Sequence, residues 1–316
     1  MPGSIQDADI KLLRIFHTIA ECGGFSRAQA KLNLSQSAIS THMSQLESRM
    51  GMRLCERGHS TFELTDDGRA VIMAAEKLFA SLESFRTEVA EAHNKLLGEL
   101  RIGFIDNSVT HPDRRIQTAI KRFSERAPDT RMKVYVGGAI ELEEQVMDGR
   151  LHLAIGLFHH KIPSLEYSPL FDEDHLLYCG CNHPFFARPD AELTPEVIAT
   201  TNYVSWDYVE SLPGWESPFP FRDVASSPYI EGIAFMVLSG AYLAYLPTHY
   251  ASFWAERNQI RAILPETTRR TASFHLITSR SSRKLRLTRA FLEELGQRAG
   301  DPALEDNNDA QLVSQS

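Results

Sequence analysis

The chain has 316 residues, 43% hydrophobic and 23% charged, with a net charge of −8. That balance suits a water-soluble protein of two or more domains, and it excludes a disordered or fibrous chain. No apolar run approaches the ~18 residues that span a bilayer. The opening stretch MPGSIQDAD lacks the basic-then-apolar order of an export signal, so a cytoplasmic protein away from the membrane is expected. The cysteines, Cys22, Cys55, Cys179 and Cys181, form no C-x-x-C pair, and no disulfide framework is expected. Cys179 and Cys181 alternate, so a strand would put both on one face as small core residues.

The first predicted helix opens with Asp9 as its cap and carries Leu12, Leu13, Phe16, Ile19 and Ala20 at helical spacing. Cys22-Gly23-Gly24 stops it. Ser26 is expected to cap a second helix with Ala28, Ala30 and Leu32, and Asn33-Leu34 makes a short turn. Ser35 caps a third, polar helix, SQSAISTHMSQLE, whose Ile39, Met43, Leu46 and Met50 form one buried stripe. Gly51 ends it. MetArgLeuCysGluArg and ThrPheGluLeu then flank Gly58 as a small β-hairpin. Three helices with a short turn between the last two, plus a hairpin, make a winged helix-turn-helix over residues 1–65.

From Cys22 to Phe62 the basic residues are Arg27, Lys31, Arg49, Arg53 and Arg57, and the acidic ones Glu47 and Glu56. Five minus two leaves +3, a local excess in an acidic chain, and binding is local.

Residues 66–93 read as one long helix capped by Thr65. Val71, Ala75, Leu78, Leu82, Phe85 and Val89 step by four and three, which is a heptad seam. A helix of roughly 42 Å with such a seam needs a partner; a second copy of the chain is the expected one, and packing back on its own domain is the alternative.

Beyond it, residues 94–300 alternate strand and helix patterns: strands at 99–105, 131–136 and 152–157, helices from His111 and from Ile140, and a further strand at 176–181. This βαβαβ order implies a parallel sheet with helices on its faces. A second α/β unit runs from about 172 to 268. A strand at 271–278 and a helix at 285–295 return to the first unit, which covers about 99–170 and 270–298. Residues 301–316 are expected to be a disordered tail.

These motifs together resemble a LysR-type transcriptional regulator. The likeness lies in LeuLeuArgIlePhe, GlyPheSerArgAlaGlnAlaLysLeu, SerGlnSerAlaIleSer, GlnLeuGlu, ArgLeuCysGluArg and LeuThrAspAspGly, in that order and spacing. TyrLeuAlaTyrLeuPro (242–247) is a weaker match. The resemblance implies an overall α/β chain: a winged helix-turn-helix, a dimerising linker helix, and two Rossmann-like α/β subdomains of periplasmic-binding-protein type with a small-molecule inducer between them. It implies a homotetramer, a dimer of dimers, on an interrupted palindrome in double-stranded DNA near a promoter, with RNA polymerase as a further partner. No cofactor or metal is implied.

Short polar side chains on a helix in the major groove read base edges. Gln36, Ser37, Ser40 and Thr41 are the candidates, with His42 and Gln45 at the groove edge. Phosphates should fall to Arg27, Lys31, Arg53 and the wing residue Arg57, with Ser35 at the helix start. Many family members place Arg or Lys where this chain has Thr41, Ser44 and Gln45. The helix can therefore discriminate but hardly hold, and a truncation near Asp67 should bind DNA poorly.

In parallel α/β domains ligands sit beyond the carboxyl ends of the strands. The candidates are Asp106, Asn107 and Ser108, then Gly138 and Ala139, then Ser205 and Trp206, and finally Tyr229 and Ile230. The family often offers hydroxyls and helix amides there to an inducer carboxylate. Here Asn107 and Ala139 replace such hydroxyls and Asp106 adds negative charge, so a polar or amine-bearing inducer is expected. The alternative is that Asp106 caps the helix beginning near Pro112. No metal-spaced pair, G-x-S-x-G elbow or phosphate loop points to an enzyme. A cytoplasmic solute-binding protein, or a winged-helix repressor of another class, is the competing reading.

Overall fold

The computed structural model describes residues 6–56, 62–91, 96–158, 161–207, 215 and 219–296. It divides into two compact units, Met1–Phe85 and Arg86–Ser316. The tail after residue 296, Arg57 and Gly58 at the wing tip, and His93 at the end of the predicted linker lie outside the described residues.

In the first unit the helices are α1 (Asp7–Cys22), α2 (Phe25–Leu32), α3 (Gln36–Met50) and the beginning of α4 (Asp66–Glu91). Leu12, Leu13, Phe16, Ile19, Ala28, Ile39, Met43 and Leu46 are buried together, so the helical spacing reported the core. Gly23 (φ 66°) and Gly51 (φ 71°) end α1 and α3 in the left-handed region. Ser35 caps α3, its hydroxyl accepting the Ala38 N–H at 3.3 Å.

Two cap expectations are corrected. Asp9 is not the cap of α1; Gln6 is, and Asp9 lies buried in the first turn, accepting the Gln6 N–H at 2.8 Å. Ser26 lies inside α2, which starts after Gly24 because Phe25 turns inward onto Phe62, edge to face at 5.8 Å. Among the described residues the hairpin shows one antiparallel bridge, Cys55–Leu64, with Glu56 N–H on the Glu63 carbonyl.

The seam of α4 splits. Val71, Ala75 and Leu78, with Ile72 and Phe79, pack on the core of their own unit. Farther along, Phe85 is 64% and Val89 49% exposed, and Leu82 is half-buried. Gly68 lets α4 approach closely: a Cβ there would lie 1.9 Å from the Leu54 carbonyl oxygen.

The second unit contains one nine-stranded sheet, built from β1 (Gly98–Ile105), β2 (Thr130–Gly137), β3 (Leu153–Leu157), β4 (Leu165–Gly180), β5 (Asn202–Trp206), β6 (Arg222–Ser227), β7 (Leu243–Pro247), β8 (Ile260–Ala262) and β9 (Arg270–Ser279). The order is β2-β1-β3-β9-β4-β7-β5-β6, with β8 on β4. β1 is parallel to β2 and β3, and β5 is parallel to β6 and β7. Two parallel halves therefore meet at the antiparallel β4–β9 pair, which is registered from Leu165–Ser279 to His175–Arg270 with a bulge at Leu170.

The predicted strands 176–181 and 271–278 are thus parts of longer strands that run through both halves. Pro169 and the acidic run Asp172-Glu173-Asp174 hid the first part of β4. Cys179 is in the core, but β4 ends at Gly180 and Cys181 is exposed in the turn, so the two do not share a buried face. The covering helices are α5 (Arg115–Arg126), α6 (Ala139–Met147), the short α7 (Pro195–Ile198), α8 (Ile230–Leu238), α9 (Thr248–Ala255), the short α10 (Pro265–Thr268) and α11 (Arg280–Lys284), and α12 (Arg286–Glu294).

Glu143 of α6 is buried in this unit, and among the described residues the Tyr167 hydroxyl donates to it at 3.1 Å. Burial pushes its carboxyl from 4.5 up to about 7, against the pull of Tyr167. Below pH 4.5 both folded and unfolded chains are protonated there and stability is unaffected. Between pH 4.5 and 7 the unfolded chain ionises first, so stability falls as pH rises. Glu143→Gln should therefore stabilise this unit by roughly 2 kcal/mol at pH 8 and much less at pH 4.5; denaturant midpoints at the two pH values check this, and an equal gain at both would refute it.

Candidate functional site

The polar face of α3 is exposed at Gln36, Ser37, Ser40, Thr41 and Gln45, while Ile39, Met43 and Leu46 hold the opposite face fully buried. The exposed side chains are not equally free. Thr41 donates its hydroxyl to the Ser37 carbonyl at 2.9 Å, and Ser44 does the same to Ser40 at 3.0 Å. The Ser35 and Ser37 hydroxyls share a bond of 3.0 Å, and His42 Nδ1 lies 3.4 Å from Gln45 Oε1, leaving His42 half-buried. Among the described residues, the side chains of Gln36 and Ser40 have no partner. They are the exposed polar groups of this face with no intramolecular bond among the described residues.

The positive charge near this helix is thinner than the residue count suggests. Arg49 and the buried Asp9 form a two-pronged ion pair, 2.8 Å on one arm, that ties the end of α3 to the start of α1. The Arg49 guanidinium, helped by the Gln6 amide, holds the Asp9 carboxyl below its usual range. Lys31, expected on phosphate, is paired with Glu21 at 2.7 Å on the surface. Arg27 and Arg53 are exposed and, among the described residues, carry no ion partner; Arg57 lies outside them. Of the expected basic residues, Arg27 and Arg53 are thus exposed and unpaired among the described residues, whereas Lys31 is held in a surface ion pair.

In the second unit the carboxyl ends of the two parallel halves face each other. Asp106, just past β1, accepts the N–H of Ile230 at 2.7 Å, the first amide of α8. It caps a helix, but one 124 residues away rather than its neighbour near Pro112. Burial pushes its carboxyl up, against the pull of the Ile230 and Glu231 amides. Asp106 Oδ1 and Asn107 Oδ1 are buried without a hydrogen-bond partner.

Around this contact lie side chains that the strand-end reasoning missed. Tyr135 donates its hydroxyl to Glu141; burial first, then Glu141, pushes that phenol up to about 12, and Tyr229 also bears on it. Tyr250, half-buried, is raised by burial and by Glu231 and Asp106. Period-two alternation along β2 could have flagged Tyr135, whose side chain stands at the strand's carboxyl end.

A polar chain runs from the exposed Thr110 inward to the buried Glu173 and His175. The Thr110 hydroxyl and His249 Nδ1 are 2.7 Å apart, His249 Nε2 and Glu173 Oε2 2.6 Å, and His175 Nε2 approaches Glu173 Oε1 at 2.7 Å. Burial alone would push Glu173 up, but the two imidazoles bring it down to about 2.

Other expected ligand residues have structural duties. The Ser108 hydroxyl turns back to the Ile105 carbonyl. Ser205 is buried and donates to Ala225 between β5 and β6. Trp206 is buried, donates to the Pro228 carbonyl at 3.2 Å and stacks on His175. Ile230 sends its side chain into the core and offers only its amide. Ala139 is buried at the start of α6; Gly138, with open space at its Cβ direction, and the 42%-exposed Tyr229 remain accessible. Among the described residues no group of His, Cys, Asp and Glu could hold a metal ion.

A helix with a buried apolar stripe and an exposed polar face, joined to a sheet whose halves face each other at their carboxyl ends, defines a DNA-binding regulator with an appended α/β substrate-binding domain. Comparison supports that class directly. The model described as "LysR substrate binding domain" matches residues 93–300, and that described as "Bacterial regulatory helix-turn-helix protein, lysR family" matches residues 10–69. The chain belongs to the LysR family of bacterial transcriptional regulators. It is similar to HTH-type transcriptional activator BauR of Pseudomonas aeruginosa, 40% identical over 291 residues, covering 92% of this chain and 95% of the relative. The SDS degradation transcriptional activation protein of a Pseudomonas species is 31% identical over 194 residues, 60% of this chain and 62% of its own. Full-length CbnR, solved with its target DNA, shares the fold at TM-score 0.64 and 17% identity, over 91% of this chain and 98% of that one.

Glu21→Gln should release Lys31. Affinity for operator and for random duplex should then rise together, by about twofold to tenfold at low salt, with the gain shrinking as salt is added. Titration by fluorescence anisotropy checks this; unchanged binding would mean the pair costs nothing to open.

Proposed function

We propose that this regulator works in the cytoplasm and without catalysing a reaction, as a dimer or a dimer of dimers on an interrupted palindrome near a promoter. A small-molecule effector in the cleft at Asp106 and Tyr229 shifts its activity, and RNA polymerase is the downstream partner. The name of the 40%-identical relative favours activation. The observation that carries this reading is α3 itself: one side fully buried, the other a row of uncharged polar groups with Gln36 and Ser40 free. Such a helix needs base edges to account for its composition. A free-standing solute-binding protein or an enzyme would have no use for it.

This reading separates two kinds of residue. Arg53→Ala should weaken operator and random DNA alike and reduce the salt slope by about one. Gln36→Ala should instead lose about tenfold or more on the operator while leaving random DNA nearly unchanged. Equal losses on both sequences for Gln36→Ala would remove it from base reading.

Dimerisation rests on the outer part of the α4 seam, where Phe85 and Val89 are exposed. Truncation at Asp67 is no longer a fair test, because it would strip Ala75, Leu78 and Phe79 from the core of the DNA-binding unit. Phe85→Glu is the better one. It should shift the full chain towards monomer in analytical ultracentrifugation and weaken operator binding by roughly a hundredfold, since the second half-site then binds independently; an unchanged sedimentation profile would place the dimer contact elsewhere.

A further inference from the structure

The ligand-facing end of the second unit has an unusual electrostatic arrangement. The free amides at the start of α8 are an anion seat, and Asp106 already fills it with Oδ2 at 2.7 Å from Ile230 N. A ligand carboxylate would have to displace a carboxylate that belongs to the protein. What remains open is a demand for donors, not acceptors: Asp106 Oδ1 and Asn107 Oδ1 are both buried without a hydrogen-bond partner of good geometry, and the Glu231 amide and the Asn107 side chain only pull on the Asp106 carboxyl against its burial. Each such orphan acceptor is costly, so a group that satisfies it gains accordingly.

The surroundings have the same sign. Glu231 and Asp106 both bear on Tyr250, and Glu141 and Tyr229 on Tyr135. Among the described residues, none of the groups acting on Asp106, Tyr135 or Tyr250 is a lysine or arginine. Aromatic faces beside carboxylates favour a cation.

We propose that the cleft receives its effector through a protonated amine, which donates to Asp106 Oδ1 and Asn107 Oδ1 beside the rings of Tyr229 and Tyr250. The inference rests on the reading that an effector binds in this cleft. An ammonium group has three donors and no acceptor, so it satisfies two orphan oxygens and leaves one N–H for a ring face or solvent. Asp106 thereby serves twice: Oδ2 closes the two halves on each other, and Oδ1 takes the ligand.

The test is calorimetry on the full chain with a panel of C3–C6 primary amines, each matched by its N-acetyl derivative and by the corresponding carboxylate. Amines should bind while the neutral and anionic counterparts do not. Asp106→Asn should weaken amine binding by about tenfold to a hundredfold. Because Asp106 also caps α8, that variant alone could report misfolding, so Asn107→Asp supplies the opposite sign. Asn107 sits in the left-handed region at φ 57°, which Asp tolerates, and the added charge should tighten amine binding several-fold. Carboxylates that bind in competition with Asp106, or amines whose affinity ignores both substitutions, would overturn the amine assignment while leaving an effector in the cleft. Failure of all three panels would count against the amine; if Tyr250→Ala also left DNA binding and thermal stability untouched, the effector reading of the cleft would fall with it.

Discussion

The β4–β9 ladder is the interaction on which the ligand-binding unit depends. Among the described residues the chain passes from one half to the other along β4 and returns along β9, and these two strands are bonded to each other from Leu165–Ser279 to His175–Arg270. A continuous antiparallel ladder resists sliding, because a slip of one residue would turn every side chain to the wrong face. What it permits is bending and twisting where it is interrupted, at the Leu170 bulge. The carboxyl ends of β1 and β5 are thereby brought to face each other, and Asp106 can reach the first turn of α8 although 124 residues separate it from Ile230.

The DNA-binding unit solves a different problem with few charges. The exposed face of α3 carries uncharged polar groups but almost no cation, and two nearby basic residues are engaged internally, Arg49 with Asp9 and Lys31 with Glu21. The division is physically consistent. Uncharged groups suit selectivity, while long-range attraction to DNA needs cations such as the exposed Arg27 and Arg53. An overall acidic chain can bind DNA on these terms, because only the charge facing the phosphates matters at short range.

Local features of this architecture were legible in the sequence. The stripe Ile39, Met43 and Leu46, the stops at Gly23 and Gly51, and the cap at Ser35 each depend on neighbours within a helical turn, and all are where the spacing puts them. What escaped depends on residues far apart. Asp9 reads as a cap until Arg49 reaches it across 40 residues. The seam of α4 reads as one surface until folding divides it between its own core and the exterior. The first part of β4 was hidden because Glu173, a charged residue, is buried, and only the imidazoles of His175 and His249 make that tolerable. In the cleft, the charge of Asp106 was visible but its partner was not. Ser205 was misplaced because strand alternation turns it into the sheet, towards Ala225.

The Asp9–Arg49 pair has one more mechanical meaning. It grips α3 near Met50, whereas the unpartnered polar side chain of Gln36 stands at the other end of a 15-residue helix. At 1.5 Å per residue that is a lever of roughly 20 Å. A tilt of about five degrees at the fulcrum would carry the tip through nearly 2 Å, more than the tolerance of a hydrogen bond. The pair and the buried Ile39, Met43 and Leu46 thus fix α3 at different points along its length, and the ion pair governs the end where a small rotation is most amplified at Gln36.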